Sequence, residues 1–150
     1  MGIRPKDLRA MYHKTFPAQL DKLYEMLAFI KSYESFQNIS PSILDHIILA
    51  TEEALVNIIN YGYPNEKNGT IEITCENPHK HPGIKIIIRD RGVPFNPVEN
   101  IPSNLPSLSS VISNDECLGG YGIHILVGLM DHVEYKRMNG GNILSLTKYL

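Results

Sequence analysis

The sequence has few cysteines, no excess of basic residues and no long apolar run, and each absence excludes a class of protein. Its two cysteines, Cys75 and Cys117, form neither a C-x-x-C pair nor a Cys/His metal spacing, which argues against a disulfide-stapled or zinc-bound domain. The net charge of −2 provides no basic field for nucleic acid. No window approaches the ~20 apolar residues of a membrane span or the apolar run of a signal peptide. We therefore expect a cytoplasmic protein with no membrane segment and no direct nucleic-acid partner.

The 150 residues are enough for one domain with a sizeable core, and we expect a single domain over 1–150. Apolar periodicity predicts a helix from Leu20 to Ile30 and a second that begins at the capping pair Ser40-Pro41 and ends near Gly62. Strands are predicted over 9–16, 69–76, 83–90, 131–137 and 142–150, with a short helix over 119–130. The short turns between strands favour an α+β fold, a two-layer α/β sandwich with one mixed, mostly antiparallel sheet covered on one face by helices.

The strand 83–90 ends on an aspartate where its alternation requires an apolar residue. Ile84, Ile86, Ile88 and Asp90 share one face, and this face should meet the helices. A buried carboxylate is costly there unless it is hydrogen-bonded. Asp90 is therefore either a cap of the following turn or a ligand-binding group, and alternation alone leaves both open.

Three polar residues, Glu53, Asn57 and Asn60, are spaced i, i+4 and i+7 along the second predicted helix, beside its apolar stripe. One interpretation is the solvated flank of an amphipathic helix. The other is a set of oxygen ligands for a hard cation, since Asn and Glu oxygens suit Mg²⁺.

A cluster of glycines precedes the predicted helix 119–130. Glycines allow backbone N–H groups to approach a phosphate, and a helix N-terminus favours negative charge. The alternative is a tight loop or a hinge without a ligand. The cluster consists of Gly119, Gly120 and Gly122.

Taken together and in order, these three segments resemble the nucleotide-binding boxes of one family. The segment EEALVNIINYGY at 52–63 resembles the N box of the GHKL (Bergerat-fold) ATPases, DRGVPFNP at 90–97 their G1 box, and GGYGIHIL at 119–126 their G2 box. Within that family the chain resembles the bacterial anti-sigma-factor serine/threonine kinases of the RsbW type over essentially its whole length. The resemblance implies the histidine-kinase-like ATPase fold.

The resemblance also implies a role for each matched residue. Glu53 would be the general base, and Asn57 would coordinate Mg²⁺ at the phosphates. Asp90 would accept a hydrogen bond from the adenine amino group, and Gly92 would leave room for the base. Residues 98–118 would form the ATP lid. The other residues implied in ATP binding are Phe95, Gly119, Gly120, Gly122, Ile123 and Asn142, the last standing where many relatives have threonine.

The function implied is an ATP-dependent serine/threonine protein kinase and anti-sigma factor, with ATP and Mg²⁺ as cofactors. Its partners would be a sigma factor and an anti-anti-sigma protein of the STAS type, and a homodimer is among the expectations. No lysine or arginine occurs between Arg91 and Lys136. The phosphate charge would therefore be balanced by Mg²⁺, backbone N–H groups and Arg89 or Arg91. The alternative is a nucleotide-regulated binding module of the same fold without catalysis.

Overall fold

The computed structural model describes residues 12–63, 68–96 and 128–150. In these ranges the chain forms a five-stranded sheet with two helices packed on one of its faces. This arrangement confirms the predicted α+β fold. The helices are α1 (Leu23–Lys31) and α2 (Pro41–Asn57), and the strands are β1 (His13–Pro17), β2 (Thr70–Glu76), β3 (Gly83–Asp90), β4 (His132–Met138) and β5 (Gly141–Tyr149).

The strands are arranged in the order β1-β2-β3-β5-β4, and each neighbouring pair is antiparallel. The sheet of the described residues is therefore fully antiparallel, where a mixed, mostly antiparallel sheet was expected. Strand β5 lies between β3 and β4, and its register sets Asn142 opposite Asp90. The β4–β5 hairpin turns at Asn139 and Gly140, both with positive φ (54° and 76°), as a two-residue type I′ turn requires.

The core lies between the sheet and the two helices. Alternate residues of β2, β3 and β5 point toward the helices, and α2 buries the stripe that its periodicity predicts. Helix α1 buries Ile30 and Met26, whereas Leu20 and Tyr24, which the apolar spacing placed on its buried side, are exposed. The Ser40 side chain accepts a hydrogen bond from the Ile43 amide, which confirms the predicted cap of α2. The largest fully buried side chains are Met26, Ile30, Ile47, Leu55, Ile71, Ile73, Ile84, Ile86, Ile88 and Leu146.

Helix α2 was predicted to continue to a point near Gly62. Instead, the α-helix ends at Asn57 and is followed by a π-helical turn, Ile58–Gly62. A π-turn advances the chain around the axis differently from an α-turn, so Asn60 leaves the line that Glu53 and Asn57 form. Asn60 is exposed, whereas Glu53 and Asn57 are half-buried. Such turns occur often at functional sites.

Neither α1 nor α2, nor any shorter helix of the described ranges, combines the length and the apolar character needed to cross a membrane. The predicted helix over 119–130 falls mostly outside the described residues, as does the start of the predicted first strand.

Candidate nucleotide-binding site

The carboxylate of Asp90 lies at the end of β3 on the helix-covered face, and the residue is 6% exposed. Its Oδ1 accepts hydrogen bonds from the Gly92 amide at 2.8 Å and from the Asn142 Nδ2 at 2.9 Å. No hydrogen bond from the described part of the chain reaches Oδ2. Asp90 therefore caps the following turn with one oxygen, and the described residues leave its other oxygen unpaired in a buried position, which is uncommon in folded proteins.

The surroundings of Asp90 act on its charge in opposite directions. Burial raises the pKa of Asp90 above its ordinary value. The hydrogen bonds from Asn142 and Gly92 and the positive charge of Arg137 oppose this rise. A further N–H donor at Oδ2 would stabilise the carboxylate, because a hydrogen bond to the charged form favours it.

Asn142 is 4% exposed, and its amide connects three elements. Its Nδ2 donates to Asp90 Oδ1 and, at 2.9 Å, to the carbonyl oxygen of Val93. Its own Oδ1 accepts a hydrogen bond from the Tyr135 hydroxyl of β4. Because both groups facing Nδ2 are acceptors, the amide orientation is fixed and both of its N–H donors are used. Asn142 therefore holds Asp90 and the loop after β3 in one arrangement.

The loop after β3 packs its backbone against the end of the π-helical turn. The Val93 amide donates to the Gly62 carbonyl at 3.0 Å, and Arg137 Nη1 donates to the Gly92 carbonyl at 2.8 Å. A Cβ at position 92 would lie 2.4 Å from the Gly62 carbonyl oxygen. This close approach is a steric reason for glycine at position 92, separate from the room for a base that the resemblance implies.

We expect Gly92→Ala to lower the free energy of unfolding by about 1–3 kcal/mol, because two stretches of backbone must move apart. Chemical denaturation measures the change. Gly140→Ala is a useful comparison: its Cβ meets no atom within 4 Å, so any cost there comes from the positive φ of 76° and not from a clash. A Gly92→Ala protein as stable as the wild type would contradict the packing described.

Glu53 and Asn57 lie one turn apart on α2 and are half-buried. Neither side chain has a hydrogen bond or ion pair with any described residue. Burial, and after it the charge of Glu52, raises the pKa of Glu53. Helix geometry places Asn57 about 6 Å beyond Glu53 along the axis, and the π-helical turn then extends the chain to Gly62. An ideal Cβ at Gly62 would be 3.9 Å from Asp90 Oδ1. The two free polar groups and Asp90 are thus spaced on the scale of an extended nucleoside triphosphate.

Phe95 stacks on Tyr61, with ring centroids 5.4 Å apart and planes inclined by 28°. Tyr61 is 59% exposed and belongs to the π-helical turn, whereas Phe95 follows β3. The pair is a second connection between these segments, next to the Gly62–Val93 hydrogen bond. Its part in nucleotide binding stays a prediction.

Arg89 and Arg91, the cations expected to balance phosphate charge, do not lie on the helix-covered face. Both are exposed, and strand alternation directs them to the opposite face, where they line a cavity of about 490 Å³ with Glu72, Met138 and Ile143. Asp90 and Asn142 border this cavity from the sheet, but their side chains follow the alternation toward the helices. We therefore do not assign the nucleotide to it.

Three residues of the site have no role that the resemblance implies, although Tyr63 is the last residue of the segment 52–63. The Tyr63 hydroxyl donates to the Thr70 carbonyl and accepts from the Arg91 amide. It therefore connects the end of the π-helical turn to the start of β2 and to the residue after β3. Tyr135 and Arg137 alternate on β4, and their bonds reach Asn142 and Gly92. Alternation along 131–137 predicts that these two share a face, but only the insertion of β5 beside β3 brings them to Asp90.

The family follows from comparison with known proteins. A family model described as a histidine kinase-like ATPase domain matches residues 16–148. The chain belongs to this family. The match includes both helices and all the strands except the first residues of β1 and the last of β5.

Two curated relatives of this ATPase domain are named as protein kinases. The serine-protein kinase RsbW of Oceanobacillus iheyensis is 28% identical over 120 residues, which cover 79% of this chain and 68% of that protein. The serine/threonine-protein kinase BtrW of Bordetella bronchiseptica is 25% identical over 103 residues, covering 69% of this chain and 68% of the relative.

Two solved structures share the fold. A Mycobacterium tuberculosis structure of RsbU and RsbW domains has a TM-score of 0.59 at 15% identity and covers 92% of this chain. The histidine kinase domain of a blue-light activated kinase from Erythrobacter litoralis has a TM-score of 0.51 at 14% identity and covers 90%. The chain spans 32% and 62% of these structures, respectively. At these identities they support the fold alone.

The donor set of this ATPase domain fits the Mg²⁺ ion that its family implies. Within the described ranges there is no group of three His, Cys, Asp or Glu side chains that could enclose a metal. Mg²⁺ does not need such a cage, because it keeps several waters and commonly binds one or two protein oxygens plus substrate phosphates. The Asn57 side chain, which bonds to no residue in 12–63, 68–96 or 128–150, offers such an oxygen, with the Glu53 carboxylate one turn away.

Other predicted site residues lie outside the described residues. These are the lid at 98–118 and Gly119, Gly120, Gly122 and Ile123.

Proposed function

We propose that the chain is an ATP-dependent serine/threonine protein kinase and anti-sigma factor. It binds a sigma factor and phosphorylates a serine on an anti-anti-sigma protein of the STAS type, in a partner-switching pathway of the cytoplasm. The observation that carries this proposal is the buried Oδ2 of Asp90, near the C-terminal end of the helix that presents Glu53 and Asn57, since none of these three groups has a partner among the described residues. The curated relatives named as serine kinases support the same conclusion.

Adenine is recognised at Asp90. Its Oδ2 accepts an N–H of the exocyclic amine, while Oδ1 remains held by Gly92 and Asn142. Guanine presents a carbonyl oxygen at the same position, which would face a second acceptor. A site built around such a hydrogen bond rejects analogues that cannot make it.

Phosphoryl transfer takes place at Glu53 and Asn57, in the last turns of α2 before the π-helical turn that reaches Asp90. The serine oxygen of the substrate protein attacks the γ-phosphorus, the bond to the ADP oxygen breaks, and the serine proton passes to Glu53. Asn57 would hold Mg²⁺, which supplies charge neutralisation on the phosphates when bound. Glu53 suits the role of base, since a carboxylate with a raised pKa holds a proton more readily near neutral pH.

The second candidate is a nucleotide-regulated binding module of the same fold without catalysis. The position of Arg89 and Arg91 on the opposite face favours it, because no cation from these two positions reaches the phosphates.

Incubation with γ-labelled ATP, Mg²⁺ and the STAS-domain proteins encoded in the same genome separates the two candidates. We expect label on a serine of one STAS protein. In a separate binding assay, the immobilised chain should retain a sigma factor when ATP is present, and should release it when the STAS antagonist and ADP are added. Binding of ATP without transfer to any STAS protein would favour the module. Failure to bind ATP would contradict both.

A further inference from the structure

The Asp90 carboxylate belongs to a hydrogen-bonded chain that continues to the edge of the sheet. Asp90 Oδ1 accepts from Asn142 Nδ2, and Asn142 Oδ1 accepts from the Tyr135 hydroxyl. Asp90 and Asn142 are directly opposite each other in β3 and β5, whereas Tyr135 pairs with Leu144 and reaches Asn142 diagonally from the edge strand β4. Each link uses the donor and acceptor that its chemistry allows.

We propose that Tyr135 is a positioning residue of the adenine site, which acts on the Asp90 carboxylate through the amide of Asn142. This inference rests on the proposed function. Strands β3, β5 and β4 each contribute one residue to this series of hydrogen bonds. The edge strand β4 therefore sets the direction in which Asp90 Oδ2 points. Tyr135 itself touches no nucleotide.

The role of the Tyr135 hydroxyl follows from the burial of its partner. Asn142 is 4% exposed, so without that hydroxyl its carbonyl oxygen loses its protein donor in a position with little access to water. The amide is then held only through its two N–H groups, on Asp90 and Val93. Asp90 keeps its Gly92 bond, but the Asn142 amide that orients it has lost one of its three hydrogen bonds.

Tyr135→Phe tests this with two nucleotides, ATP and purine riboside triphosphate, which lacks the exocyclic amine. We expect the wild type to bind ATP about 10-fold tighter than the analogue, and the variant to lose about 3- to 10-fold in ATP affinity with little change for the analogue. The ratio of the two affinities is the readout, because a merely structural role of Tyr135 weakens both nucleotides alike. Thermal unfolding checks that the variant is folded.

Tyr12→Phe is the matched control, since it removes a hydroxyl that bonds Phe29 and Ser32, far along the chain from the site. Its affinity ratio should equal that of the wild type. A double-mutant cycle adds a test of the route: in an Asn142→Ala protein, Tyr135→Phe should change the ratio no further.

The outcomes distinguish this inference from the proposed function. A Tyr135→Phe protein with the wild-type ratio, or one that loses both nucleotides equally, overturns the role of Tyr135 and leaves the kinase proposal intact. An additive effect in the Asn142→Ala protein overturns the route through Asn142. A wild-type protein that binds neither nucleotide, or both equally, overturns recognition of adenine by Asp90 and this inference with it.

Discussion

Replacing Glu53 by glutamine is expected to slow phosphoryl transfer by about 10²- to 10⁴-fold, the contribution of a positioned general base. Glutamine has the shape of glutamate but cannot take the serine proton. ATP affinity should stay near the wild-type value, because the adenine contacts are at Asp90, which lies beyond the π-helical turn from Glu53. Single-turnover transfer from γ-labelled ATP and a nucleotide titration measure the two quantities separately. A Glu53→Gln protein that transfers phosphate at the wild-type rate would exclude Glu53 as the base.

The pH dependence of transfer provides a second test of Glu53. The base acts when deprotonated, so the rate should fall as the pH drops through the pKa of Glu53, which burial and the charge of Glu52 raise above the ordinary value of 4.5. Glu52→Gln removes the like charge, lowers that pKa and moves the acid limb of the profile to lower pH. Its rate on the plateau should match the wild type. An acid limb that stays in place, or moves to higher pH, would contradict this account.

Asp90→Asn is expected to weaken ATP binding by about 10- to 100-fold without loss of stability. A hydrogen bond to a charged group contributes about 1.5–3 kcal/mol. The asparagine oxygen keeps the bonds from Gly92 and Asn142, since both are donors, and this places the new amide nitrogen where Oδ2 was. A donor then faces the adenine amine, itself a donor.

Asp131→Asn is the matched control for the nucleotide titration. The Asp131 carboxylate also accepts a backbone N–H, from Tyr149 at 2.6 Å, but it is exposed and lies at the opposite end of β5 from Asn142. The ATP affinity of the Asp131→Asn protein should equal that of the wild type. Equal affinity in wild type and Asp90→Asn would instead reduce Asp90 to a turn cap.

The stability difference between the wild type and Asp90→Asn should depend on pH in a defined direction. Because the folded protein raises the pKa of Asp90, ionisation disfavours the folded state. The wild type should therefore lose stability relative to Asp90→Asn as the pH rises from the unfolded value of 3.8 through the raised pKa, and the difference should be constant above it. Denaturant titrations of both proteins across this range measure it. An advantage of the wild type that grows with pH would contradict the burial of Asp90.

Local patterns predicted most of the fold. The 3.6-residue stripe of α2, its Ser40 cap and the alternation of β2 and β3 are properties of neighbouring residues, and each element formed where its pattern placed it. Two features that these patterns do not contain have non-local origins. The π-helical turn at Ile58–Gly62 ends on the carbonyl that accepts the Val93 amide, and β5 inserts between β3 and β4. Neither contact is visible in a short window of sequence.

Asp90 shows which properties of the site follow from the sequence and which follow only from the tertiary structure. The sequence by itself determined that a carboxylate ends the apolar face of β3, that Glu53 and Asn57 share one side of α2, and that these segments resemble ATP-binding boxes. It left open whether Asp90 caps a turn or binds a ligand. The tertiary structure decided that one oxygen of Asp90 caps the turn and that the described residues leave the other unpaired, because strand register sets Asn142 opposite Asp90 and brings Tyr135 to Asn142. Register between strands distant in sequence is set by packing of the whole core, and no local periodicity contains it.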